Sequence, residues 1–442
     1  MRMILKSLWA HRKQNGWIFA EIAIITLLSW FMVDYLVVSA YGSFCYDPSG
    51  EFEKEHLCVG QFAGLRGDLE REVEERGGIP YEEEVAHLQV LKNKLGGLSE
   101  VQSVCLTYDY PGEGYHWSTF ALPDDTLKCI RMAQILYFPN ERFFETLGLQ
   151  PIEGSPTAEV LSGEIPQNGV VITRSVAQRL FGTDQVVGKR LAELNNYYAN
   201  KLGGEVKGYN TIVGVVEDVK VASNERYSYT VFMPCTFDPT SSSKQNLLLR
   251  LKPDVDAEEF VKKHQPTLTQ EFHAGIRILA TLETYNQHLD WQKKRNRNTI
   301  ISQMAGVPLV LFAIIVVLGT LGTYWLQIRK RREDIGIMRA FGASKMRIFW
   351  TFLAEGAILT ALATIVGDII WLQFIASWPL LSDGNVRGTS GLETDWVTQF
   401  WPHFIIISLI VYLLLLVIVS LGIALPAWNI CRKKIVTALR DE

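Results

Sequence analysis

The sequence predicts an α-helical membrane protein with four transmembrane helices and one large extracytoplasmic α+β domain in two lobes. Two observations predict the division. Apolar residues gather into four blocks, 17–38, 300–326, 348–376 and 403–425, each reaching or exceeding the roughly 20 residues a helix needs to cross about 30 Å of hydrocarbon. Between the first two blocks lies a polar stretch of about 260 residues, rich in charge, glycine and turn residues and long enough to bury a core of its own. A third observation, the placing of basic residues, sets the orientation.

Residues 1–16 carry four Lys or Arg, residues 327–347 seven and the tail from 425 four, whereas 377–402 carries one, Arg387. This asymmetry puts both termini and the 327–347 segment in the cytoplasm and the large domain outside. Lys293, Lys294, Arg295 and Arg297 stand just before the second block on the outer side, but long translocated domains largely escape the charge rule. The cytoplasmic segments sum to +11 and the remainder to −15, so basic residues meet anionic lipid and acidic ones face outward. With the basic residues held at the membrane and no aromatic-basic binding module, no nucleic-acid partner is expected.

Taken in order, residues 1–16 read as a cytoplasmic interfacial helix. Ile4, Leu5, Leu8 and Trp9 share one face, and Arg2, Lys6 and Lys13 another. A basic tail without structure is the alternative. Residues 17–40 form the first span. Its apolar run is about twice the length of a signal-peptide core and contains Glu21 and Asp34, so an uncleaved anchor is expected.

The extracytoplasmic domain spans 41–297. Two charged helices are predicted at 61–76 and 80–95, separated by Gly77-Gly78-Ile79-Pro80. Short β-branched and aromatic runs predict strands at 101–108, 129–138, 169–173, 211–216, 229–233 and 247–251. Thr173 is placed to cap a helix ending at Gly182, and Asp256 one running to about Phe272. Five cysteines fall outside, namely Cys45, Cys58, Cys105, Cys129 and Cys235, so at most two disulfides can form there. Cys45 with Cys58 closes the shortest loop; five reduced, buried thiols are the alternative.

The second span with its stalk occupies 298–328. Residues 283–330 contain no proline except Pro308, which allows one helix longer than the membrane is thick. A cytoplasmic coupling loop follows at 329–347, then the third span at 348–376, a short outer loop at 377–402, the fourth span at 403–425 and a cytoplasmic tail at 426–442. Asp34, Glu355 and Asp368 are the intramembrane polar residues. Each would cost about 2.5–3.5 kcal/mol facing lipid near the bilayer centre. Asp34 and Asp368 are candidates for helix–helix hydrogen bonds, with no matching basic partner evident; Glu355, with Glu21, is expected near the inner surface.

The most specific local signal lies at 329–347, RKRREDIGIMRAFGASKMR. Ile335, Ile337, Met338 and Phe341 are apolar, and Gly336, Ala340, Gly342 and Ala343 are small enough to let another backbone come close. Ser344 can cap the third span. The run Arg331-Arg332-Glu333-Asp334-Ile335-Gly336-Ile337-Met338-Arg339-Ala340-Phe341-Gly342-Ala343, with Glu355 downstream, resembles the R-x-x-E-I-G-I-x-R-A-x-G-A stretch of MacB/FtsX-like ABC transporter permeases. Asp334 departs from the usual Glu, keeping the charge with one methylene less reach.

Other segments are similar to the same family in the same order: Tyr137-Phe138 and Phe144-Glu145-Thr146-Leu147-Gly148, then Gly169-Val170-Val171-Ile172-Thr173, Leu180-Phe181-Gly182, Val187-Gly188-Lys189, Ile212-Val213-Gly214-Val215-Val216, and the ending from Leu425-Pro426-Ala427 to Ala438-Leu439-Arg440-Asp441-Glu442.

The resemblance implies a permease subunit that couples ATP hydrolysis on a separate cytoplasmic ABC ATPase to movement of its outer domain. The implied coupling residues are Arg331, Glu333, Asp334, Ile335, Gly336, Met338, Arg339, Ala340, Phe341, Gly342 and Ala343. It implies a second permease copy, membrane lipid, an outer partner or substrate, and a place in the bacterial inner membrane. Export or lipoprotein and peptide handling is one expectation; regulation of a cell-wall hydrolase or a sensor partner through the same coupling is the other.

No enzyme is expected in the chain itself. The stretch from Gly182 to Arg190 has one residue too many between its glycines for a phosphate-binding loop, with Arg190 where Ser or Thr is required. The eight histidines show no metal-ligand spacing and there is no Cys-x-x-Cys, so neither metal nor cofactor is implied. The aromatic, breaker-rich segment 108–117 suits either a binding loop or ordinary packing of its rings.

Overall fold

The computed structural model describes residues 12–41, 54–64, 71, 75, 80–113, 115–194, 206–221, 228–236, 246–275, 277–295, 297–330, 332–377, 396–397 and 399–432. These fall into two compact units, one built from the two ends of the chain and one from the stretch between them. The first eleven residues lie outside the described set, and with them most of the predicted interfacial helix.

The helical unit holds α1 (Arg12–Ala40), and α9 (Arg297–Lys330), α10 (Arg332–Ala340), α11 (Lys345–Ser377) and α12 (Phe400–Arg432). Four of these, all but α10, are long and apolar enough to cross a membrane. They pack through a shared core that includes Ile18, Ile22, Trp30, Val316, Phe352, Leu359, Ile407 and Val411. Small residues set the closest approaches. A Cβ on Gly367 of α11 would lie 2.8 Å from the Cβ and Cγ2 of Thr26 on α1, and Gly319 of α9 lies against the carboxylate of Glu21. Close backbone approach of this kind is how membrane helices gain packing energy where lipid offers no hydrophobic drive.

The other unit is built on an eleven-stranded sheet: β1 (Leu57–Gly64), β2 (Val101–Thr107), β3 (His116–Leu122), β4 (Asp125–Tyr137), β5 (Gly169–Thr173), β6 (Arg190–Leu194), β7 (Val206–Val216), β8 (Thr230–Pro234), β9 (Asn246–Leu251), β10 (His273–Ala274) and β11 (Arg277–Thr284). Strand order is β10-β11-β1-β9-β2-β4-β3-β6-β7-β5-β8, and β8 also pairs with β4. That last pairing closes β4, β3, β6, β7, β5 and β8 into a ring without free edges. The remaining five strands form an open wing that meets the ring at the pair Thr107 and Tyr137.

Helices α2 (Tyr81–Gly96), α3 (Phe143–Leu147), α4 (Thr157–Ser162), α5 (Arg174–Phe181), α6 (Ala257–His264), α7 (Leu268–Glu271) and α8 (Tyr285–Arg295) accompany the sheet. The wing is covered on both faces. Leu247, Leu249 and Leu251 of β9 pack with Leu88 and Leu91 of α2 and Phe260 of α6, while Leu248 turns to Phe143, Phe144 and Tyr285. That double cover explains why β9 carries three leucines in a row, Leu247 to Leu249, instead of alternating. The ring has its own core around Phe120, Ile172, Leu191, Ile212 and Val231.

Four readings of the sequence change. Gln61–Gly64 belongs to β1, not to a helix, because Leu57 and Val59 fill one core and Cys58 and Phe62 the other; within 65–79 the described residues Arg71 and Glu75 are helical. Thr173 stands at the N-cap of α5 without bonding it; its hydroxyl is engaged with Thr230, and Asp218 accepts from Ser175 N at 3.1 Å instead. The helix capped by Asp256 ends at His264, beyond which Pro266 sits in a 3₁₀ turn before α7, as expected when proline removes a helical donor. Cys58 is a free, buried thiol pushed up to about 12 by that burial, against the expectation that it pairs with Cys45, which lies outside the described residues.

Candidate functional site

The 329–347 segment holds a helix. α10 runs from Arg332 to Ala340, and its end is a double hydrogen-bonded turn: Gly342 N donates to Arg339 O at 3.1 Å and Ala343 N to Met338 O at 3.0 Å. This is the Schellman arrangement, which needs a left-handed residue just past the helix. Gly342 supplies it with φ 87°, and no atom lies within 4 Å of where its Cβ would be. The glycine thus serves the backbone shape of the cap, a role additional to the close approach that the sequence suggested. One residue on, Ser344 Oγ accepts from Arg347 N at 3.2 Å and caps α11.

α10 presents two faces. Ile335 and Gly336 are buried, and Ile335 joins the core of the helical unit with Ala343 packed beside it. Ile337, Met338 and Phe341 point away, with Phe341 89% exposed. Arg339 is half-buried. Arg331 lies outside the described residues, and Glu333, Asp334 and Ala340 are placed on the helix by its backbone alone.

Two of the intramembrane polar residues, Asp34 and Asp368, are linked through neighbouring side chains. Asp34 of α1 meets His403 of α12, with Oδ1 and Nε2 2.6 Å apart and both side chains buried. His403 Nδ1 lies 2.7 Å from Val397 O, so Nδ1 donates there and a single proton lies between Nε2 and the carboxylate. Trp30 stacks on the imidazole at 6.4 Å between centroids. Its Nε1 donates to Ser408 Oγ at 3.2 Å, and the Ser408 hydroxyl donates to Asp368 of α11. Glu355 is buried inside the helical unit. The basic partner that the sequence reading lacked is His403. A lone histidine early in the most apolar span was the available signal, since ionisable groups there survive only when paired.

The outer unit has a cavity of about 470 Å³ walled by Leu88, Leu106, Phe138, Asn140, Ile165 and Cys235. Glu141 at its wall is fully engaged, accepting from Gln89 Nε2 at 3.0 Å, Lys92 Nζ at 2.6 Å and Leu106 N at 2.9 Å. On either side of it, Asn140 and Arg142 take φ of 65° and 51°, backbone strain of the sort that persists only where surrounding contacts hold it.

Two family models match the chain. The FtsX-like permease C-terminal model covers residues 306–435, including α10, α11, α12 and most of α9. The MacB-like periplasmic core domain model covers 98–266, most of the sheet unit. The class so defined is an ABC transporter permease, a membrane protein with a large extracellular domain. The two matches and the curated relative below support a MacB/FtsX-like permease.

Among curated proteins, the uncharacterized ABC transporter permease protein Rv0987 of Mycobacterium tuberculosis is 25% identical over 277 residues, which is 60% of this chain and 27% of that protein. The chain thus spans about a quarter of that relative's length. Among solved structures, a domain of a permease protein from Porphyromonas gingivalis aligns at 18% identity over 57% of this chain and 98% of its own, with TM-score 0.32. The periplasmic region of MacB from Actinobacillus actinomycetemcomitans aligns at 13% over 55% and 94%, with TM-score 0.30. The extracellular domain of the noncanonic ABC-type transporter YknZ from Gram-positive bacteria aligns at 13% over 50% and 100%, with TM-score 0.27. Scores this low carry no detail of architecture.

Proposed function

We propose that the chain is the permease subunit of an ABC-type complex in the bacterial inner membrane, and that α10 is where a separate cytoplasmic ATPase docks. One observation carries the reading: a capped helix between two spans, tied to the core through Ile335, leaves Ile337, Met338 and Phe341 uncovered. Large apolar side chains gathered on one short element call for a protein cover, and the basic flank from Arg329 to Arg332 fits the cytoplasmic side. Arg331, Glu333, Asp334 and Arg339 would form the charged rim of that contact, which steers association more than it anchors it. Of the small residues in this segment, Gly342 leaves open space where a partner could come close, while Gly336 is buried within the chain.

Two permeases and two ATPases would then work as a mechanical unit. Closure of the ATPases moves the helices, and the outer domain, its ring and wing acting as two lobes, changes shape above. No substrate need cross the bilayer. The size of the outer unit and its cavity favour export or the handling of lipoproteins or peptides over a purely regulatory role.

The test uses the full chain purified from native membranes, with every bound chain identified. Wild type should bring down an ABC ATPase and alter its hydrolysis. Phe341→Asp changes a side chain that touches little of its own chain, so it should insert normally and lose that ATPase. A Phe341→Asp chain that inserts, binds and stimulates like wild type removes α10 from the docking role.

A further inference from the structure

A second polar cluster lies in the sheet unit, away from the residues discussed so far. His288 of α8 is fully buried. Its Nδ1 lies 2.6 Å from Glu283 Oε1, at the end of β11, and its Nε2 lies 2.7 Å from Glu113 Oε2, in the turn that follows β2. Glu113 also accepts from Gln292 Nε2. The turn is fixed at both ends: Glu113 N donates to Tyr110 O at 3.0 Å and Gly112 N to Val221 O at 2.8 Å. Tyr285 of α8 donates its hydroxyl to Pro111 O.

A neutral imidazole has one N–H, and a carboxylate only accepts. Two contacts this short, one on each ring nitrogen, require a proton in each. Glu283, His288 and Glu113 therefore hold two protons among them. A third group waits at the same nitrogen, because the Tyr110 hydroxyl is 3.0 Å from Nε2. Tyr110 is itself buried and stacked obliquely on the imidazole at 5.8 Å. While Nε2 carries its proton, the tyrosine oxygen can only accept from it. Once the proton leaves, the hydroxyl can turn and donate to Nε2, and Glu113 has no bond left to make there.

We propose that His288 is a proton-operated latch of the outer domain: the loaded cluster ties α8 to Glu113, and loss of one proton hands Nε2 from Glu113 to Tyr110, which leaves Glu113 held by Gln292 alone and loosens that end of the turn while Tyr285 still holds Pro111. Glu113 and Glu283 are 21% and 31% exposed, so protons reach the cluster from the outer compartment. The ionisable groups facing His288 are Tyr110 and Glu113 from the turn, Glu283 from β11 and Tyr285 on α8; β1, packed on α8, adds the apolar Leu57 to this core. Burial by itself would lower the imidazole pKa, but the hydrogen bonds and charges of Glu113 and Glu283 outweigh it and raise it. α8 is followed in the chain by α9, the second span, so the latch sits on the segment that leaves the sheet unit for the membrane.

The test is hydrogen exchange on the purified full chain, following peptides covering 108–113 and 285–292 and dividing out the intrinsic pH dependence of exchange. Wild type should lose about tenfold protection in both between about pH 6 and about pH 9. Glu113→Gln can either accept from or donate to Nε2, so its protection should be flat over that range. Tyr110→Phe removes the alternative donor and should move the wild-type midpoint upward. Protection in wild type that is independent of pH overturns the latch. So does a Glu113→Gln chain that keeps the wild-type dependence, or a Tyr110→Phe midpoint that does not move.

Discussion

Asp34 and His403 share one proton across 2.6 Å between α1 and α12, with His403 fixed from its other side by the Val397 carbonyl. The two partners are not equivalent on removal. Asp34→Ala leaves a neutral imidazole that still donates to Val397, a loss of about 1–2 kcal/mol for an intramembrane hydrogen bond. His403→Ala removes the imidazole that faces the buried Asp34 carboxyl, so it should destabilise more. Because the pair acts as a unit, Asp34→Ala/His403→Ala should cost less than the sum of the single changes. Thermal unfolding of the detergent-purified chain measures all three, and strictly additive losses would remove the coupling.

Gly342 separates backbone shape from size. Its φ of 87° is costly for an L side chain, yet nothing lies within 4 Å of its Cβ position. Gly342→Ala should therefore weaken the end of α10 by about 1 kcal/mol, while the larger Gly342→Asn, which tolerates the left-handed region, should cost less. Recovery of the ATPase with each variant reads this out. A ranking by volume, with Ala best and Asn worse, would point to close approach by a partner instead.

Arg250 of β9 is buried and donates Nε to Thr146 O and Nη2 to Leu147 O, both at 2.8 Å. These are carbonyls of the last turn of α3, which would otherwise end against the sheet unsatisfied. Arg250→Met keeps the apolar stem and removes both donors, so it should lower the stability of the sheet unit by about 2–3 kcal/mol. Arg250→Lys, with one mobile ammonium in place of a planar fork, should recover only part. Chemical denaturation with a probe confined to the sheet unit is the measurement; an unchanged midpoint for Arg250→Met would show that water satisfies α3.

What was legible in the sequence follows from the range of the signals. The four apolar blocks and the 329–347 segment are local, and period or composition reveals them. β9 was visible as an apolar run for the same reason. β1 was not, because Leu57, Cys58, Val59 and Phe62 serve two cores at once and lie among charges, which erases alternation. His403, the partner of Asp34, lies 369 residues away and Glu113, the more distant of the two carboxylates on His288, lies 175 away, and no spacing rule reaches that far. The aromatic segment 108–117 could be read as a binding loop or as packing; Tyr110 is core, and Glu113 beside it carries the chemistry. Arg250 gave no signal, since a charged residue inside an apolar run reads as an interruption until the helix end above it is known.

The raised pKa of His288 also fixes how stability depends on pH. Burial lowers it, but the bonds from Glu113 and Glu283 raise it more, so the folded chain holds this proton more tightly than the unfolded chain does. A group raised on folding contributes its full stability below the ordinary histidine value of about 6.5 and loses it as pH climbs through the folded value above that. The sheet unit should therefore unfold at its highest temperature on the acid side of about pH 6.5 and at falling temperatures over the next units of pH. His288→Gln removes the titrating group, so the slope in that window should flatten even where the absolute midpoint drops. Glu283→Gln takes away one raising charge while leaving the imidazole in place, and it should slide the window toward lower pH. Scanning calorimetry of the three chains at a series of pH values distinguishes these shapes; a wild-type midpoint that rises through neutral pH would show that carboxylates elsewhere, not this histidine, govern the titration of the outer domain.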